Sequence, residues 1–155
     1  MFNSIIQQLS LEDIYIQQAF DYYRERYEQS ELAQKFVLEA LDIPTELKSS
    51  RLIGLCDRTL GLHIPQSKTL EGGAIRGHYR RAGLFKKTGC ELFRGYIVFP
   101  ETNDNGMYVS AVGYRFGRVR DDQKPIIHWA KPEPKELINE GIQLLMEVSH
   151  AKAYH

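Results

Sequence analysis

Ten cationic side chains in the middle of the chain carry the densest chemistry the sequence offers: Arg76, Arg80, Arg81, Lys86, Lys87, Arg94, Arg115, Arg118, Arg120 and Lys124. Guanidinium and ammonium groups gathered this way hold anions, and Arg grips planar oxyanions with two parallel N–H donors. The formal net charge of the 155 residues is zero, but the charges are partitioned. Residues 1–50 hold four Lys or Arg against nine Asp or Glu, residues 51–131 hold fourteen against seven, and residues 132–155 hold two against four. A basic middle between acidic flanks implies a localised anion-binding face. The competing reading is that the flanking helices neutralise the middle.

Other chemistries lack their residues. The glycines of EGGAIRG (71–77) fit neither GxxxxGK[ST] nor GxGxxG after a strand, so the segment reads as a flexible helix entry and not a phosphate cradle. His63, His78 and His128 match no metal-ligand spacing, and Cys56 and Cys90 stand far apart with no CxxC, so both cysteines read as small buried hydrophobes. No GxSxG places a nucleophile. The sequence therefore assigns no catalytic residue, no metal ligand and no cofactor. Its apolar runs fall short of the roughly 18 residues a membrane span needs, and MFNSIIQQLSLED has no basic leader or signal-peptide core. A cytoplasmic protein without membrane contact is expected.

The elements that must position the cations follow from pattern. The stretch 92–100 is rich in aromatic and β-branched residues and predicts a strand, with Phe93, Gly95, Ile97 and Phe99 on one side and Arg94, Tyr96 and Val98 on the other. The connection ETNDNG (101–106) supplies the Asn and Gly of a tight reversal, and a return strand over 107–116 delivers Arg115, Arg118 and Arg120 at its end. PIIHW (125–129) reads as a third short strand with Trp129 in the core, and RLIGLC (51–56) as another.

Upstream, Ser10 with Glu12 and Asp13 resembles a helix N-cap, predicting a helix over 11–27 that buries Ile16, Phe20, Tyr23 and Tyr27. Ser30 caps a second helix, 31–42, burying Leu32, Phe36, Ala40 and Leu41, and Pro44 ends it. The stretch 68–73 reads as a loop. A short helix follows over 74–85, with Ile75, Tyr79 and Ala82 inward and Arg76, Arg80 and Arg81 outward. A last helix runs from about 135 to 152 after Pro132 and Pro134. The fold class expected is α+β: a small antiparallel or mixed sheet built on the hairpin of about 92–116, with N-terminal helices and a C-terminal helix packed on it. One domain is expected, made of a helical part (1–50), a basic α/β core (51–131) and a C-terminal helix (132–155).

The strings RLIGLCDRTLGLHIP and GGAIRGHYRRAGLFKKTGCELFRGYIVFPETNDNG, with the arginine-ended strand and PIIHW after them, resemble the N-terminal subdomain of the bacterial primase catalytic core. The version in primase-like proteins of mobile elements and plasmids is the most similar. The likeness covers about residues 15–131 and rests most on IGLCDRTLG and ELFRGYIVFP. It implies that basic residues hold template, primer and nucleotide phosphates, with Arg94 matching the family's arginine ahead of the FP strand and Arg115 the arginine closing the second strand. Lys124 stands near the family's lysine before the third strand, though the order here is Lys-Pro where replicative enzymes have Pro-Lys.

Family members carry a zinc ribbon before this region, whose cysteines are not in this sequence, and a Toprim domain after it. Toprim chemistry needs a glutamate at a strand end and a later Asp-x-Asp pair to hold two metals. Glu140-Gly141 matches the first superficially, but it lies in a helical pattern with no aspartate following. The leading expectation is a backbone-directed nucleic-acid-binding module, single-stranded DNA favoured, with no metal catalytic centre of its own. One alternative is the non-catalytic part of a primase completed by a separate Toprim subunit. Another is a structural adaptor that recruits helicase or recombinase proteins of a mobile element.

Overall fold

The computed structural model of the chain describes residues 2–66, 68–119 and 122–132, with the backbone alone over 2–10. The expected C-terminal helix and Arg120 lie outside the described residues. The elements are α1 (Phe2–Glu28), α2 (Glu31–Glu39), α3 (Thr45–Lys48), β1 (Gly54–Leu55), a 3-10 turn (Leu60–His63), α4 (Leu70–Arg81), β2 (Tyr96–Thr102), β3 (Tyr108–Arg115) and β4 (Ile126–Ala130). The strands form one antiparallel sheet in the order β1-β2-β3-β4. The fold is α+β, as the patterning predicts.

β2 organises the core because it is buried on both faces. Tyr96 and Val98 join Phe20 and Tyr23 of α1, Tyr79 of α4, and Phe93, Tyr108 and Trp129 in one cluster. On the opposite face Ile97 and Phe99 join Ala33 and Val37 of α2, with Ile43, Ile53 and Leu55. The helix stripe is as predicted for Ile16, Phe20 and Tyr23, while Tyr27 packs half-buried against the second cluster. Phe20 is the hub, stacked on Tyr108 with centroids 4.8 Å apart and tilted against Trp129 at 5.2 Å. α1 crosses β1 so closely that a Cβ on Gly54 would lie 2.7 Å from that of Tyr23, which only glycine allows. Trp129 is in the core as expected, and its indole Nε1 donates to the Ala82 carbonyl at 2.7 Å, joining β4 to the end of α4.

The hairpin reversal also forms as read. Asn103 accepts at Oδ1 from the backbone N–H groups of Asn105 and Met107, both at 3.0 Å, and Gly106 takes φ +77°. The first arm is shorter than predicted, since pairing begins only at Tyr96. Residues 92–95 form a turn in which the Tyr96 N–H donates to the Phe93 carbonyl at 2.8 Å and Gly95 takes φ +83°. That turn breaks the two-residue alternation, so Phe93 packs on the same side as Tyr96 and Val98, and Arg94 sits on a turn and not on a strand.

Other expectations need correction. α1 continues through Ser10, which therefore does not cap it. Ser30 does cap α2, accepting from Ala33 N at 3.2 Å, but the buried ridge is Ala33 and Val37. Phe36 and Ala40 pack half-buried against the same cluster as predicted, but Leu32 is 76 % exposed, because the small Ala33 lets the helix come close to Ile43 and the sheet, and Leu41 is 101 % exposed, because α2 ends at Glu39 and not at the predicted 42. The predicted loop over 68–73 is helical from Leu70, since Thr69 caps α4 by accepting from Gly72 N at 3.0 Å. The predicted strand 51–56 pairs only at Gly54–Leu55. Cys56 is buried, but Cys90 is exposed. No helix among the described residues is long and apolar enough to cross a membrane.

Candidate nucleic-acid interface

A cleft of about 600 Å³ opens where four connections meet, and each brings one cation to its lining: Arg58, Lys86, Arg94 and Lys124. Arg58 follows β1, Lys86 lies beyond α4, Arg94 is on the turn before β2, and Lys124 precedes β4. A smaller cavity of about 280 Å³ shares the wall of Arg58, Cys90, Glu91 and Arg94 and adds Arg76. The Tyr96 hydroxyl donates to the Lys124 carbonyl at 2.6 Å, fixing that rim to the sheet.

The ten cations predicted from sequence separate by what they touch. Lys86, Arg94 and Lys124 share the cleft. Arg76 donates to the carbonyls of Gly61 and Ile64 at 3.2 and 3.4 Å, so it braces the 3-10 turn. Arg81 pairs with the buried Glu12 at 2.9 Å and meets His78 Nδ1 at 2.9 Å. Arg115 donates from Nη1 to the carbonyls of Gly95 and Arg94 at 3.0 and 3.3 Å and from Nε to that of Arg118 at 3.4 Å, its guanidinium 5.8 Å from the Tyr96 ring centre. It clamps the turn that carries Arg94. Arg80, Lys87 and Arg118 are exposed and line neither cavity. Among the described residues, Glu12 and Asp13 of α1 pair with Arg81 and Lys131 and with none of the four cleft cations, which share their lining with Glu91 and Asp122.

Pattern reading missed two residues. Arg58 belongs to the IGLCDRTLG string that carries the family likeness, and that string was its only signal. Glu91 lines both cavities and is only 6 % exposed, with Oε1 accepting from the Tyr23 hydroxyl at 3.2 Å and the Cys56 thiol at 3.5 Å. Burial pushes its carboxyl above the ordinary range, against the downward pull of those two hydrogen bonds. Burial, and then the nearby Glu91, push the Cys56 thiol up as well. Its sequence signal was an acid set between Cys90 and Leu92 in a basic stretch.

Beside the cleft, the loop after β1 is tied to α1. Asp57 accepts from Arg26 Nε at 2.6 Å and from the Thr59 backbone and hydroxyl at 3.2 and 2.5 Å, and Tyr22 bonds the same hydroxyl. Burial acts to raise the Asp57 carboxyl, but the donors from Thr59 and Arg26 outweigh it and hold it below its usual value.

No family model matches the chain, and no curated protein matches it in sequence. Solved structures do match in fold. A DnaG primase catalytic domain bound to ssDNA superposes with a TM-score of 0.58 at 17 % identity, over 83 % of this chain and 42 % of that one. The Aquifex aeolicus primase, comprising its zinc-binding and RNA polymerase domains, gives 0.57 at 19 %, over 81 % and 30 %. The E. coli primase catalytic core gives 0.53 at 18 %, over 78 % and 38 %. The chain thus has a primase-like fold and spans less than half the length of these chains.

Proposed function

We propose that this chain is a nucleic-acid-binding module that grips backbone phosphates in the cleft, as the template-holding, N-terminal subdomain of a primase catalytic core. The observation that carries the reading is the convergence of Lys86, Arg94 and Lys124, from three separate connections, on one cleft of a primase-like fold. A DnaG catalytic domain of similar fold is bound to ssDNA, which favours single strands as the ligand. Four cations, Arg58, Lys86, Arg94 and Lys124, outnumber the two acids of the lining, Glu91 and Asp122, and no helix among the described residues is presented there to enter a groove, so contacts go to phosphates and sequence preference is weak.

Fluorescence anisotropy of a labelled oligonucleotide, titrated with salt over single-stranded DNA, duplex DNA and RNA, tests this. Three phosphate contacts to a single strand predict a log–log salt slope of about −2. Arg94→Ala with Lys124→Ala should flatten the slope and weaken binding. Salt-insensitive affinity, or wild-type affinity in that double variant, refutes the reading.

A second reading is favoured by the chain's spanning only 30 % to 42 % of the matched primases. On this reading the module is completed by a Toprim domain, carried by a separately encoded subunit or by the rest of a longer chain, in a mobile element that also encodes helicase or recombinase partners. Primer synthesis by the mixture, and none by either part alone, would establish it; a mixture without synthesis would leave binding as the whole activity.

A further inference from the structure

Arg58 occupies a backbone conformation that costs stability. Its φ of +74° is the only positive value at a non-glycine residue among the described residues, in the left-handed region where an L side chain crowds the following carbonyl. Its guanidinium makes no hydrogen bond or ion pair with any described residue. Arg26, Arg76, Arg81 and Arg115 all do, to Asp57, the Gly61 carbonyl, Glu12 and the Gly95 carbonyl respectively. The neighbouring Asp57 does not serve it: its carboxylate accepts from Arg26 and Thr59 instead. A strained residue with no internal partner gains nothing for the fold by being arginine.

The surroundings supply the reason for the strain. Asp57 and Thr59 flank Arg58, and both are anchored to α1, the first through Arg26 and the second through Tyr22. This bracket holds the backbone where it would not otherwise rest. It places Arg58 in the wall common to both cavities, facing the same space as Arg94 and close to a carboxyl, Glu91, that forms no ion pair with a described residue.

We infer that Arg58 is a phosphate-binding residue of the cleft, held in the left-handed conformation by the Asp57–Thr59 bracket so that its planar fork meets a phosphate shared with Arg94. The inference rests on the nucleic-acid reading and adds to it a residue and the device that positions it. Asp57 is a positioning residue, acting through the loop and not through contact with the ligand.

Arg58→Gly separates this role from a structural one, because glycine relieves the strain while removing the fork. Thermal unfolding should occur at the wild-type temperature or above. Affinity for a single-stranded DNA oligonucleotide should fall several-fold at moderate salt, with the salt slope lowered by no more than about 0.7, the value of one single-strand phosphate, because Arg94 still faces the shared phosphate. Arg58→Lys keeps the charge but not the fork, and should bind more weakly than wild type with the slope retained. A lower unfolding temperature in Arg58→Gly would mean that the side chain is held for packing and overturns the inference. So does wild-type affinity and slope in Arg58→Gly while Arg94→Ala weakens binding, which leaves the nucleic-acid reading standing. If Arg94→Ala with Lys124→Ala is also without effect, the reading itself fails and takes this inference with it.

Discussion

Replacing Gly95 by alanine probes the turn that carries Arg94. Two effects add. At φ +83° an alanine costs about 1 kcal/mol, after the smaller entropy gain in the unfolded chain is set against the left-handed strain. The new Cβ would also lie 1.7 Å from Arg115 Nη1 and 2.9 Å from its Cζ, so the guanidinium must leave. Its bonds to the carbonyls of Gly95 and Arg94, at 3.0 and 3.3 Å, are then lost. A charged donor at a buried carbonyl is worth about 1.5–3 kcal/mol, and partial exposure here brings the loss nearer 1. Gly95→Ala should therefore destabilise by about 2 kcal/mol in urea denaturation, with an unchanged m-value.

In an Arg115→Ala background the collision disappears and only the backbone penalty remains, about 1 kcal/mol. The double-mutant cycle should accordingly return a coupling of about 1 kcal/mol. Equal costs of Gly95→Ala in the two backgrounds would refute the clamp and leave Arg115 without the turn-holding role assigned to it. Oligonucleotide affinity measured on the same proteins should fall in Gly95→Ala, because the displaced turn moves Arg94.

Two further changes test the core and the buried acid. Phe20→Ala removes the ring shared by Tyr108, Trp129, Tyr23 and Phe93 and should cost about 3–5 kcal/mol, read as a lowered urea midpoint; a loss under about 1 kcal/mol would mean that the hub is misassigned. Glu91 binds its proton more tightly folded than unfolded, so its contribution is full below pH 4.5, its ordinary value, and is lost as pH rises through the raised folded value. Glu91→Gln should flatten that decline in stability above pH 4.5, and an identical pH profile in the variant would show that Glu91 titrates normally.

Local features were readable wherever one residue decides the geometry. The Asn103 to Gly106 reversal, the Ser30 cap and the Ile16, Phe20 and Tyr23 stripe each follow from short-range chemistry, and each stands as predicted. The 92–95 turn was not readable, because LFRG has strand-forming composition and only the φ of Gly95, set against the Arg115 guanidinium, ends the extension. The α2 face was misread because Leu32 outranks Ala33 in hydrophobicity, while close approach to Ile43 favours the smaller side chain.

The candidate site was legible as a charge pattern but not as a set of contacts. Arg81 and Arg94 look alike in a string of letters. One is neutralised by Glu12, 69 residues away, and the other faces the cleft, a distinction that exists only after folding. Arg58 was passed over for the complementary reason, since a single arginine in a turn adds little to a charge count.

The indole bond from Trp129 to Ala82 has a mechanical meaning. It bolts together the two segments that lead to Lys86 and Lys124, and the Tyr96 hydroxyl bolts the second of these to the sheet. The two bonds set the spacing of the backbone on either side of the cleft. If the proposed nucleic-acid reading holds, stopped-flow binding of a single-stranded oligonucleotide should proceed in one step, with an observed rate that rises linearly with concentration; a plateau would show a slow rearrangement and refute a fixed span.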